Sequence, residues 1–162
     1  MNVLAVQTYD VVEFVHVAAV VLAFGPTFGY AFFQTIAERS HPRSVPYVMR
    51  VFTRIDKTLV TPGMLVVLAA GIYLTADRWE FSDLFVVVGL VAIIGLLAFA
   101  HGFFIRTEGA LAELAERDIA ASGSGEVTFS DEYWKLSKRV AIIGALAGLI
   151  VMVTIFFMVV KP

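Results

Sequence analysis

The sequence contains no cysteine. Disulfides, thiolate metal sites, iron–sulfur clusters and cysteine nucleophiles are therefore excluded. Charge is scarce too: Asp, Glu, Lys and Arg make up 16% of 162 residues, against about 25% in an ordinary soluble domain. No Lys or Arg precedes the first apolar run, which is too long for a leader's apolar region and has no small-x-small cleavage site. It is expected to remain as a helix. No basic block is interleaved with aromatics, so nucleic acid is not an expected partner. HExxH, phosphate-loop and Ser-His-Asp patterns are missing as well.

Apolar surface is abundant. Hydrophobic residues reach 59% and the mean hydropathy is +0.85. Four apolar runs cover residues 11–36, 58–75, 84–105 and 140–160. A helix needs roughly 20 apolar residues to cross a hydrocarbon core of about 30 Å. The second run, of 18 residues, is near the lower limit, and its helix extends back through "RVFTRIDK". Backbone groups in lipid must be satisfied internally, and nothing alternates in strand-like units, so the runs are helices. The expectation is an all-α integral membrane four-helix bundle. It forms one domain, 1–162, with helices over about 9–38, 47–75, 83–120 and 131–160.

Charge placement predicts orientation. Ten of the twelve Lys and Arg residues fall in two connections. Arg39, Arg43, Arg50, Arg54 and Lys57 lie between helices one and two. Arg106, Arg117, Lys135, Lys138 and Arg139 lie between helices three and four. Only Arg78 and Lys161 lie elsewhere. The positive-inside rule places both connections in the cytoplasm and both termini outside, in a multi-pass plasma (inner) membrane protein of bacterial type.

Pro26 and Pro62 should bend helices one and two. Helix three should continue past the membrane through "TEGALAELAERDIAA", "SGSGE" is the flexible linker, and "SDEYWKLSKR" reads as a capped helix start. Tyr133 and Trp134 are expected at the inner interface, and Trp79 and Phe81 at the outer one.

On a helical wheel Glu13, His16, Thr27, Tyr30 and Gln34 fall within about 100°. Ionisable groups in membrane helices face protein or water, so this stripe should face the bundle. Glu13 reads either as a first-turn residue at the headgroups or, one turn before His16, as a second metal ligand. His16 reads either as a packed histidine or as a ligand for haem or metal. Counting 1.5 Å per residue places Tyr73, Met152 and Thr154 at the level of His16. Met152 and Tyr73 are thus candidate cofactor contacts, and Met152 otherwise reads as a core gap-filler. His101 falls in the opposite leaflet, on the order of 14 Å away along the normal, too far for one haem iron to take both imidazoles. It shares a second polar level with Thr27, Thr58 and Thr61. His41 reads as a loop residue.

Gly25 and Gly29 form a GxxxG pair, as do Gly144 and Gly148. The pair on helix four serves contacts within the chain or between chains. The pair on helix one lies about 160° from the polar stripe, so a homo-oligomer or the subunits of a membrane complex are candidate partners there, besides the lipid bilayer.

"FVHVAAVVLAFGPTF" and "TPGMLVVLAAGIYL" resemble a small bacterial family of four-helix predicted integral membrane proteins of unknown function. Helix one is also loosely similar to copper resistance protein D-like proteins and to the four-helix membrane protoporphyrinogen oxidase. The resemblance implies that His16 would ligate haem b or copper. Three functions follow as expectations: redox or metal handling at His16, a non-catalytic accessory subunit, or a small transporter.

Overall fold

The computed structural model describes residues 7–162, so the first six residues of the expected domain lie outside the described residues. Four helices are long and apolar enough to cross a membrane: helix one, Thr8–Ser40; helix two, Pro42–Arg78; helix three, Leu84–Ser122; helix four, Asp131–Val160. No strand is present among the described residues. The helices run up and down, so both termini share one end of the bundle. That end is called the terminal end here, and the opposite one the connection end.

Helix three has 39 residues, about 58 Å at 1.5 Å each. That is nearly twice the ~30 Å of a hydrocarbon core, so the bundle continues beyond the membrane at the connection end. The best-packed core is in this continuation. Ala37, Val45, Met49, Phe52, Leu111, Ala112, Ala115, Phe129 and Tyr133 are buried together. In water, burying each large apolar side chain contributes roughly 1.5–3 kcal/mol. Lipid offers no such drive between helices, and the spanning part is packed more loosely. The two connections are tied together by Arg43, whose guanidinium donates to the Gly123 carbonyl at 2.7 Å and the Gly125 carbonyl at 2.9 Å.

The helices change partners along the bundle. In the terminal half, helix one (Thr8–Phe24) packs on helix two (Thr61–Arg78), and helix three (Leu84–Phe99) packs on helix four. In the connection half, helix two (Val45–Ile55) packs mainly on helix three (Ile105–Ser122). Two pairs joined lightly at the terminal end leave room between them. Below that room helices one and two cross closely: a Cβ on Gly63 would stand 2.9 Å from the Ala23 Cβ.

Both prolines interrupt their helices, in different ways. Helix one turns at Gly25–Pro26, and the Thr27 hydroxyl donates to the Phe24 carbonyl at 2.7 Å. Helix two forms a π-helical turn at Asp56–Val60, ending next to Pro62, where the extra residue relieves the clash a proline ring makes with the preceding turn. A second π-helical turn, Ala100–Phe104 of helix three, was not legible in the sequence, and no proline accounts for it.

Tyr133 is wholly buried, stacked on Phe129 at 4.4 Å between centroids, and its hydroxyl finds an acceptor, Glu38, inside the bundle. Gly144 and Gly148 face Phe104 and Phe28 of the same chain, the contacts within the chain that this pair was expected to serve. Gly25 is exposed.

Candidate functional site

The room between the two helix pairs is a cleft of about 470 Å³, lined by all four helices. Its walls are mainly Val, Leu, Ile and Phe side chains. Its polar groups gather toward the terminal end: Glu13, His16 and Thr75 on the walls, with Tyr9, Trp79 and Lys161 at the mouth. Helix one delivers His16 because the polar stripe turns inward as its spacing requires. His16 is half-buried and lies against helix two at Gly71, where an added Cβ would meet Cε1 at 3.3 Å and Nδ1 at 3.6 Å. Glycine there is what lets the imidazole reach the backbone of helix two. Nδ1 is enclosed and has no hydrogen-bond partner. The Val67 carbonyl is within electrostatic reach of the ring but outside good hydrogen-bond geometry for Nδ1. An enclosed nitrogen is closed to a ligand, so Nε2 is the one through which His16 can serve the cleft.

The other candidates separate. Thr154 lines the cleft, and its hydroxyl donates to its own helix at Ile150. Glu13 lines it too but is exposed. Tyr73 is 43% exposed and Met152 56% exposed, and neither is among the lining residues. Depth counting put them at the right level, but the helices are rotated so that both face outward. Among the described residues no group of three or more His, Asp and Glu could hold a bare metal ion.

His101 reaches Thr61 at 3.4 Å and is exposed. Thr61 precedes Gly71 by ten residues of helix two, about 15 Å, so the two histidines serve different levels.

A polar layer that the sequence reading missed lies at the connection side of the spans. Asp56 is 4% exposed and Glu108 3% exposed. The Tyr30 hydroxyl donates to Asp56 Oδ1 at 2.8 Å, and the Thr53 hydroxyl to Glu108 Oε2 at 2.9 Å. Neither carboxylate forms an ion pair among the described residues. One turn further on, Glu38 Oε1 accepts from Gln34 at 2.9 Å, Tyr133 at 2.8 Å and Ser137 at 2.9 Å. The signal was the register: Val45, Met49, Phe52, Asp56, Val60 and Met64 form one buried stripe of helix two, and Asp56 is its polar member. Glu108 likewise precedes Leu111, Ala112 and Ala115 on the buried face of helix three.

A family model for predicted integral membrane proteins, DUF2269, matches residues 10–162. The chain belongs to that family. No curated protein and no solved structure matches it. The match runs through every span, His16, Gly71, Asp56 and Glu108 included. No likeness of this membrane protein to the copper resistance protein D-like group is found.

Proposed function

We propose that this membrane protein holds an apolar ligand in the terminal-end cleft, with His16 supplying the one nitrogen donor. The observation that carries the reading is the His16 imidazole in the wall of an otherwise apolar cleft of about 470 Å³, with Nδ1 enclosed against helix two at Gly71 and Nε2 the nitrogen left for a ligand. Cofactor sites are apolar hollows of roughly 300–1,000 Å³ with a few convergent polar groups. Haem b fits these residues: one imidazole, apolar walls, and a cation, Lys161, at the mouth. When bound, haem would supply one-electron redox chemistry. A bare copper ion fits them poorly, since Glu13 and His16 lack a third donor. The connection end is assigned to the cytoplasm of a bacterial cell and the span to the inner membrane, on the ten-to-two distribution of Lys and Arg.

Detergent-purified protein should show a Soret band, as isolated or after titration with hemin. His16→Ala should abolish it, while His101→Ala should leave it unchanged. Absence of hemin binding by folded wild-type protein, or a band that survives His16→Ala, would refute the assignment.

Small-molecule transport is the second reading, favoured by Asp56 and Glu108, buried without ion pairs beneath the cleft. Buried carboxylates at the end of a membrane bundle are candidates for proton and ion routes. Proton uptake by reconstituted vesicles that is the same for wild type and Asp56→Asn would remove it. The accessory-subunit reading keeps only the exposed Gly25 face, since the helix-four glycines pack internally.

A further inference from the structure

We infer that the mouth of the cleft selects ligands that carry an anionic end, and that Lys161 is the selecting group. The inference deepens the ligand-holding reading above but does not depend on the ligand being haem. It starts from an imbalance among the charges at the mouth. Arg78 is already engaged: it pairs with Asp77 at 3.5 Å, donates to Gln7 Oε1 at 2.9 Å and lies 3.7 Å from the Tyr9 ring centroid. Lys161 has no carboxylate among the described ion pairs. Its ammonium rests on aromatic faces instead, 4.5 Å from Trp79 and 5.9 Å from Phe85. All three residues line the cleft.

A lysine at the end of a span commonly extends to water and leaves its stem on apolar surface. This one folds over the cleft mouth. A cation–π contact is readily exchanged for a charge-assisted hydrogen bond, which is stronger. Away from Lys161 and the polar groups near the terminal end, the walls are apolar, with Val151, Ile155 and Leu96 among them. The shape therefore suits an elongated or flat apolar body whose carboxylate stops beside Lys161. Glu13, on helix one, is the other charged side chain in the lining and opposes an anion. Selection then rests on the balance between these two residues.

Two sources of this chemistry are a fatty acid from the bilayer and the propionates of haem. Binding to full-length protein in uncharged detergent distinguishes them with two matched pairs of probes. The first is a fluorescent polyene fatty acid and its alcohol; the second is hemin and its dimethyl ester. The charged member of at least one pair should bind roughly tenfold tighter or more, the scale of a hydrogen bond to a charged group. Lys161→Gln should erase that preference without weakening the neutral member. Glu13→Gln should enlarge it. Preference within the fatty-acid pair alone identifies a lipid ligand and disposes of haem while keeping the anion selection. Equal binding of charged and neutral members, a preference that survives Lys161→Gln, or no binding of any probe would overturn the inference.

Discussion

The Glu38 clamp offers a calculation that can be tested. Glu38 Oε1 receives three hydrogen bonds, from Gln34, Tyr133 and Ser137, all between 2.8 and 2.9 Å. They join helices one and four at the edge of the buried core. Tyr133→Phe keeps the ring, its stacking on Phe129 and its burial, and removes one donor. Losing a hydrogen bond to a charged group costs about 1.5–3 kcal/mol. Glu38 keeps its other two donors, so the expected cost is near the lower limit, about 1.5 kcal/mol. Ser137→Ala should cost a similar amount, since Gln34 also donates to Ser137 at 2.9 Å but retains Glu38. Glu38→Ala is different in kind. It strands the buried Tyr133 hydroxyl and removes an acceptor from Gln34 and Ser137 at once, so roughly 3 kcal/mol or more is expected. The double variant Tyr133→Phe, Ser137→Ala should be non-additive, because both donors share one oxygen. Unfolding in mixed micelles can be followed by Trp134 fluorescence, since that ring stands 5.5 Å from Tyr133 and 6.0 Å from Phe129. A cost for Tyr133→Phe as large as that for Glu38→Ala, or a cost below about 0.5 kcal/mol for both, the scatter of ordinary surface changes, would refute the shared role of Glu38 Oε1.

Since the chain has no cysteine, single cysteines report topology directly. Ser124→Cys and Glu80→Cys should label from opposite sides of the membrane; labelling of Ser124→Cys from outside intact cells contradicts the orientation. Gly71→Val should push the His16 ring off helix two, because even a Cβ would approach it to 3.3 Å. Overpacking of ~1–3 kcal/mol should then weaken hemin binding by roughly tenfold, and an unchanged titration would show that the Gly71 contact does not set the ring's position.

The sequence by itself determined the number of helices, their approximate ends and the inward turn of His16, Thr27, Tyr30 and Gln34. Lipid enforces those features locally: a backbone in hydrocarbon must be helical, and a polar stripe at a period of 3.6 residues has only the bundle to face. Depth was legible for the same reason, because rise per residue is fixed, and the separate levels of His16 and His101 followed from it. Rotation about each helix axis was not. Tyr73 and Met152 reach the correct level and face outward, because helix rotation is set by the small-residue contacts of neighbouring helices, such as Gly63 on Ala23. Nor could one chain position reveal that Asp56 and Glu108 are buried and Glu38 partly so. Each reads as an ordinary connection charge until Tyr30, Thr53, Tyr133 and Ser137 arrive from other turns and helices to satisfy it. The cleft, too, belongs to the tertiary structure. It exists because helix one pairs with helix two, and three with four, at the terminal end, while helices two and three take over below, where water makes burial favourable.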